Sequence, residues 1–260
     1  MSYKLHDSPP GEALTILLYG GSGVGKTWLA GTLGTRTLYI NTGQGVETLK
    51  SKAFQKQNPD SNPTIVDIRE MEKKATAFDK VCDTLDEWIN TKRDEFDSIV
   101  IDDATFLSQY AQLKAMEINY ASGKTKTSMT GRKIPMPVLQ DYGTEQSIIK
   151  WFISSYTSLA KEKGFNFILL AHDRSIYSQQ KGEDSKRTRV FPNFVGKDFF
   201  APSVVPAYFD EVWFMYLHGD KRYLRTQANA IVVAKSRCSG SILEVEDSPS
   251  FPNLLSKIRN

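Results

Sequence analysis

Apolar residues follow two rhythms along this chain. Residues 13–19, "ALTILLY", are apolar almost without a break and stop at glycines, as a strand buried on both faces does. "TLYIN" at 37–41, "FDSIVIDD" at 96–103 and "NFILLAHD" at 166–173 repeat that pattern. Between them the spacing changes to threes and fours. Met71, Ala75, Phe78, Val81, Cys82, Leu85 and Ile89 predict one amphipathic helix over 70–90. Further helices are predicted at "KTWLAGTLG" (26–34), at 104–121 and at 139–163. A polar stretch, 121–137, separates the last two, and a charged, proline-containing segment, 173–206, follows the fourth strand. "YFDEVWFMYL", "KRYLRTQ" and "AIVVAKSR" then read as a run of strands. Strands alternating with helices and followed by strands predict an α/β fold, its sheet parallel at first and antiparallel at its end.

No internal repeat and no composition break divides the 260 residues, so one domain is expected, with its core at about 13–245. At 40% hydrophobic and 24% charged, the composition is that of a soluble globular protein. A net charge of +3 does not by itself imply a polyanionic partner, so the distribution of charge must decide. Cys82 and Cys238 have neither zinc-site nor disulfide-framework spacing and read as free thiols. No apolar run is long enough to span a membrane, and the first residues lack the apolar segment of a signal peptide. A cytoplasmic protein without a membrane partner is expected.

The chemistry concentrates where the first strand ends. "GGSGVGKT" places Gly20, Gly25, Lys26 and Thr27 in the GxxxxGK[ST] spacing, between a predicted strand and a predicted helix. Glycines let successive N–H groups of Gly21, Ser22, Gly23, Val24 and Gly25 curl round phosphate oxygens, with Trp28 just beyond. Lys26 would reach the β- and γ-phosphates, and the Thr27 hydroxyl would ligate Mg²⁺. A chance match somewhere in a chain this long has a probability of about one in a hundred. "SIVIDD" brings Asp102 to the same sheet edge, where it would hold the Mg²⁺ shell. Asp103 is either a second acid of the site or the cap of the following helix.

With these two motifs the chain, over roughly 14–245, resembles the RecA-like ATPases. It looks closest to phage-encoded ATP-binding proteins of the single-strand-annealing, Sak-type recombinase group. That resemblance implies an α/β RecA-like fold, ATP and Mg²⁺ as cofactors, self-association as a ring or filament, and action on single-stranded DNA, with a single-strand-binding protein as a possible partner. It makes His172, at the end of "ILLAHD", the sensor of the γ-phosphate. It also makes Lys235 and Arg237 of "AKSR" a pair reaching a neighbouring subunit's nucleotide. One departure stands out. RecA-like enzymes carry a glutamate just after the second strand, and "YINTGQG" puts Gly43 there. Asp103, Glu47 and Gln44 are the replacements considered, in that order, and slow hydrolysis is expected. The loops of such proteins that bind DNA correspond to "SGKTKTSMTGRK", with Lys124, Lys126, Arg132 and Lys133, and "KGEDSKRTR", with Lys186, Arg187 and Arg189. Cations there suit phosphate neutralisation, and Tyr120, Tyr177 and Phe191 offer stacking surfaces. The alternatives are a non-catalytic ATP-gated binder, a helicase or translocase, and a small-molecule kinase with a lid at Arg187 and Arg189.

Overall fold

The structure is a computed structural model that describes residues 13–69, 74–123, 136–178, 186–195, 200–238 and 240–259. Its strands are β1 (Thr15–Gly20), β2 (Thr37–Asn41), β3 (Thr64–Asp67), β4 (Ser98–Asp102), β5 (Asn166–Ser178), β6 (Lys186–Pro192), β7 (Glu211–His218), β8 (Lys221–Arg225), β9 (Lys235–Ser236) and β10 (Val245–Asp247). They form one sheet in the order β10-β8-β7-β1-β5-β4-β2-β3, with β6 paired to β5 and β9 to β7. The six strands from β7 to β3 run parallel, and β8 and β10 add antiparallel strands at one side. One strand, β5, thus separates the strand that leads into the phosphate loop from the strand that ends in Asp102.

Helices cover both faces. They are α1 (Lys26–Gly31), α2 (Glu47–Lys50), α3 (Lys52–Gln57), α4 (Lys74–Thr91), α5 (Ala104–Ala121), α6 (Leu139–Lys163) and α7 (Phe251–Arg259). Side chains alternate along β1. Leu17 and Tyr19 enter a core with Phe78, Val81, Leu107 and Phe152 of α4, α5 and α6. Ile16 and Leu18 join Leu29, Phe54, Phe251 and Leu254 on the other face. The threefold and fourfold spacing in α4 is what lays Phe78, Val81, Leu85 and Ile89 on its buried side. Asp103 opens α5 by accepting the Phe106 N–H at 2.9 Å. Asp141 accepts the Val138 N–H at the start of α6, and Gly164, with φ of 75°, ends that helix.

Three expectations change. The segment after residue 173 begins as ordered ribbon, because β5 continues to Ser178 and β6 returns antiparallel to it. The apolar run at 230–237 is largely not strand. Only Lys235–Ser236 pairs with β7, and Val232 forms a single bridge to Val190. The run is apolar because Val232 and Ala234 pack on the core. Finally, the core expected at about 13–245 extends further, because the amphipathic α7 buries Phe251 fully against Trp213.

Between α5 and α6 lies a buried acid. Glu145 accepts from the Ser108 hydroxyl at 2.7 Å, while its Oε2 has no hydrogen-bond partner among the described residues. Burial pushes its carboxyl up to about 8, against the smaller pull of Ser108. A carboxyl raised in the folded state is stabilising relative to its ionised form at low pH, and that contribution fades as pH rises toward the folded value. Thermal melts are expected to show wild type losing at least about 1 kcal/mol relative to Glu145→Gln between pH 5 and 8.5. A constant difference across that range would contradict the assignment.

Candidate functional site

The parallel strands β1, β4 and β5 end at one edge, and their last residues bring the chemistry together. Gly20 pairs with His172 across β1 and β5, and Asp102 ends β4 beside Leu170. The phosphate loop leaves this edge with Gly25 in a left-handed conformation, φ 104°, which glycine adopts without strain. Lys26 is buried and donates to the Gly20 and Gly21 carbonyls, each at 2.8 Å. Burial lowers its pKa, and the carboxylates of Asp103, Asp102 and Asp173 push the other way.

The Thr27 hydroxyl lies 2.7 Å from Asp102 Oδ2, which also accepts from the hydroxyl of Tyr39 on β2. Burial raises the Asp102 carboxyl, and those two hydrogen bonds partly offset it. The loop after β2 closes over this pair. Thr42 and Gly43 donate their backbone N–H groups to Asp102 O at 2.7 and 3.0 Å. A Cβ at Gly45 would overlap the Asp102 carboxylate and sit 2.5 Å from Thr27 Oγ1. Asp103 Oδ2 lies 3.0 Å from His172 Nε2, and Thr105 on α5 accepts the His172 N–H.

A cleft of about 550 Å³ is lined by Ser22, Gly23, Gly25, Lys26, Thr27, Trp28, Gln44, Gly45, Thr48, Asp102, Asp103, Phe106, His172 and Arg222. That volume is in the range of small-molecule sites. A hydroxyl and a carboxylate side by side, with no soft ligand, suit Mg²⁺, which takes one or two protein oxygens and completes its shell with water and phosphate. Only a glycine at 45 lets the backbone pass this close to the Thr27–Asp102 pair. Mg²⁺ bound there would offset the negative charge of phosphate oxygens.

The other predicted residues are more widely placed. Glu47 is exposed and pairs with Lys50 and Arg69, and it does not line the cleft. Lys235 donates to Pro206 O at 2.9 Å, and Arg237 pairs with Asp210 at 2.9 Å. Asp210 precedes β7, so this pair sits at the edge of the sheet opposite the phosphate loop. Lys186, Arg187 and Arg189 lie on β6. Arg187 pairs with Asp173 and Ser175, each at 2.8 Å, close to the foot of the ribbon. Lys124, Lys126, Arg132 and Lys133 lie outside the described residues. Five residues of the site were not among those predicted: Tyr39, Gly45, Thr48, Phe106 and Arg222. A tyrosine within a buried apolar strand and an arginine in a late hairpin give no local signal of their partners.

The fold and the cleft together define a nucleotide-binding P-loop protein built on a mostly parallel α/β sheet. An AAA domain family model matches residues 12–238, and the chain belongs to that family. Among solved structures, a KaiC-like protein from the hyperthermophilic archaeon Pyrococcus horikoshii is similar at 14% identity, with 95% of this chain and 90% of that chain covered and a TM-score of 0.48. The RadB recombinase is similar at 13% identity, with 84% and 80% covered and a TM-score of 0.40. No protein of curated function matches the chain in sequence.

Proposed function

We propose that the protein is a slow, Mg²⁺-dependent ATPase that assembles into an oligomer and acts on single-stranded DNA in recombination or strand annealing. The observation that carries this reading is the Asp103–His172 pair, 3.0 Å apart beside Lys26 and Thr27, at the foot of the basic ribbon β5–β6. In this reading Lys26 binds the terminal phosphates, and Thr27 and Asp102 hold Mg²⁺ and its waters. Asp103 orients the attacking water and accepts its proton, with its carboxylate fixed by the Phe106 N–H and His172. His172 belongs to the same strand as Tyr177, so a shift at the γ-phosphate reaches the ribbon that carries Lys186, Arg187 and Arg189. Lys235 and Arg237 leave their own partners to meet a neighbour's nucleotide in the oligomer.

A second reading has an observation of its own. Gly43 stands where RecA-like enzymes carry their glutamate, and Glu47 is turned toward Lys50 and Arg69. That favours a protein gated by ATP binding without turnover.

Phosphate release, with and without single-stranded DNA and at several protein concentrations, tests both. Wild type is expected to turn over faster with DNA and at higher concentration, and Lys26→Ala is expected to be inactive. Arg237→Ala is expected to lose turnover by a factor of about 1,000, as for an arginine acting in trans, with its melting temperature little changed. Normal turnover and a lower melting temperature in that variant would assign Arg237 to the Asp210 ion pair alone. ATP binding without phosphate release in wild type would select the second reading.

A further inference from the structure

Arg222 belongs to the cleft by position and to no role described so far. It lies on β8, opposite Leu217 in the β7–β8 hairpin, and reaches across the sheet edge to the phosphate loop. Its Nε donates to Val24 O at 3.2 Å. A Cβ on Gly25 would lie 2.5 Å from that nitrogen. The guanidinium carbon sits 5.7 Å from the centre of the Trp28 ring, within range of a cation–π contact. Trp28 is itself braced edge-on by Phe54, ring centres 5.1 Å apart. The terminal guanidinium nitrogens make no other hydrogen bond among the described residues.

The placement gives the cleft two ends. Asp102, Asp103 and His172 come from β4 and β5 on one side of β1, whereas Arg222 comes from the β7–β8 side. Terminal phosphates held by Lys26 and by Mg²⁺ at Thr27 and Asp102 would leave the rest of an extended nucleotide to run toward Trp28 and Arg222. A planar guanidinium and an indole at that end suit a flat aromatic ligand more than a second phosphate. We propose that Arg222 and Trp28 form the platform on which the nucleobase stacks, with Val24 O and the Trp28 ring holding the guanidinium in place. This rests on the nucleotide reading given above. Stacking uses the face of a base that all bases share, so the platform adds affinity with little choice between adenine and guanine.

Calorimetric titration of the full-length protein with ATP, GTP and inorganic tripolyphosphate, each with Mg²⁺, tests the assignment. Arg222→Ala is expected to weaken ATP and GTP by a similar factor of about ten, and tripolyphosphate by less than about twofold. Arg222→Lys is expected to behave like Arg222→Ala, because lysine keeps the charge and loses the plane. Equal weakening of tripolyphosphate, full affinity in Arg222→Lys, or no change in Arg222→Ala would each overturn the platform. Lys26→Ala separates the two levels of inference. It is expected to abolish binding of all three ligands, and if it binds them as wild type does, the phosphate-loop reading itself fails. Melting curves of each variant confirm that the comparison is between folded proteins.

Discussion

Gly45→Ala is expected to lower ATP turnover at least about a hundredfold, although it adds only a methyl group. The methyl would occupy space now filled by the Asp102 carboxylate and lie 2.5 Å from the Thr27 hydroxyl. Neither neighbour can give way cheaply. Asp102 is buried and held by Tyr39 and Thr27, and the backbone on both sides of Gly45 is tied down through Thr42, Gly43 and Thr48. Displacing a reacting or metal-holding group by about 1 Å typically costs two orders of magnitude in rate. Steady-state phosphate release measures the loss, and Mg²⁺ titration locates it. The Mg²⁺ concentration needed for half-maximal rate is expected to rise. Near-normal turnover at ordinary Mg²⁺ would mean that Thr27 and Asp102 do not hold the ion. Gly43→Ala is the comparison, since a Cβ there meets the Phe106 ring at 3.0 Å and not the carboxylate.

The second large effect is on stability. Asp210→Ala is expected to cost about 3 kcal/mol and lower the melting temperature by about 5–10 °C. One carboxylate gathers four donors: the Thr15 N–H and hydroxyl, each at 2.9 Å, together with Lys161 and Arg237. Asp210 is buried while Lys161 and Arg237 are partly in water, so the loss falls mainly on the strand end at Thr15. Burial draws this carboxyl upward, and the Lys161 and Thr15 hydrogen bonds with the Lys161 charge outweigh it, leaving it below its usual range. A carboxyl depressed in the folded state contributes fully above the ordinary carboxylate pKa of about 4, and that contribution disappears as acid titrates the folded group. The gap between wild type and Asp210→Ala is therefore expected to stay constant from pH 8 to 5 and to close below about pH 4. A gap that closes nearer neutrality would show another group to be responsible.

What could be read from the sequence was local. The phosphate loop and the Asp102 strand announce themselves because each is a short run whose residues act beside one another. The parallel strands and the long helices were legible for the same reason, as a buried face imposes a period on the chain. The β5–β6 ribbon was not, because its outer part buries neither face and Ser175, Tyr177, Thr188 and Arg189 carry no apolar alternation. The run at 230–237 misled in the opposite sense, since packing alone made it apolar. Arg222 lies 198 residues from the carbonyl it bonds, and only the sheet order makes them neighbours.

That sheet order also sets a schedule for the growing chain. β1 is made before both of its sheet neighbours, and the bonds that fix its start run to Asn166 and Asp210, 152 and 195 residues later. At ribosomal speeds of about 5–20 residues per second, its apolar residues wait about 10–40 s for both neighbours. Contacts of such long range slow folding, and an unpaired apolar strand can associate with other chains meanwhile. The phosphate loop is therefore synthesised before the strands that flank it and takes shape only once they arrive, which leaves Ile16, Leu17 and Leu18 without their sheet neighbours during that wait.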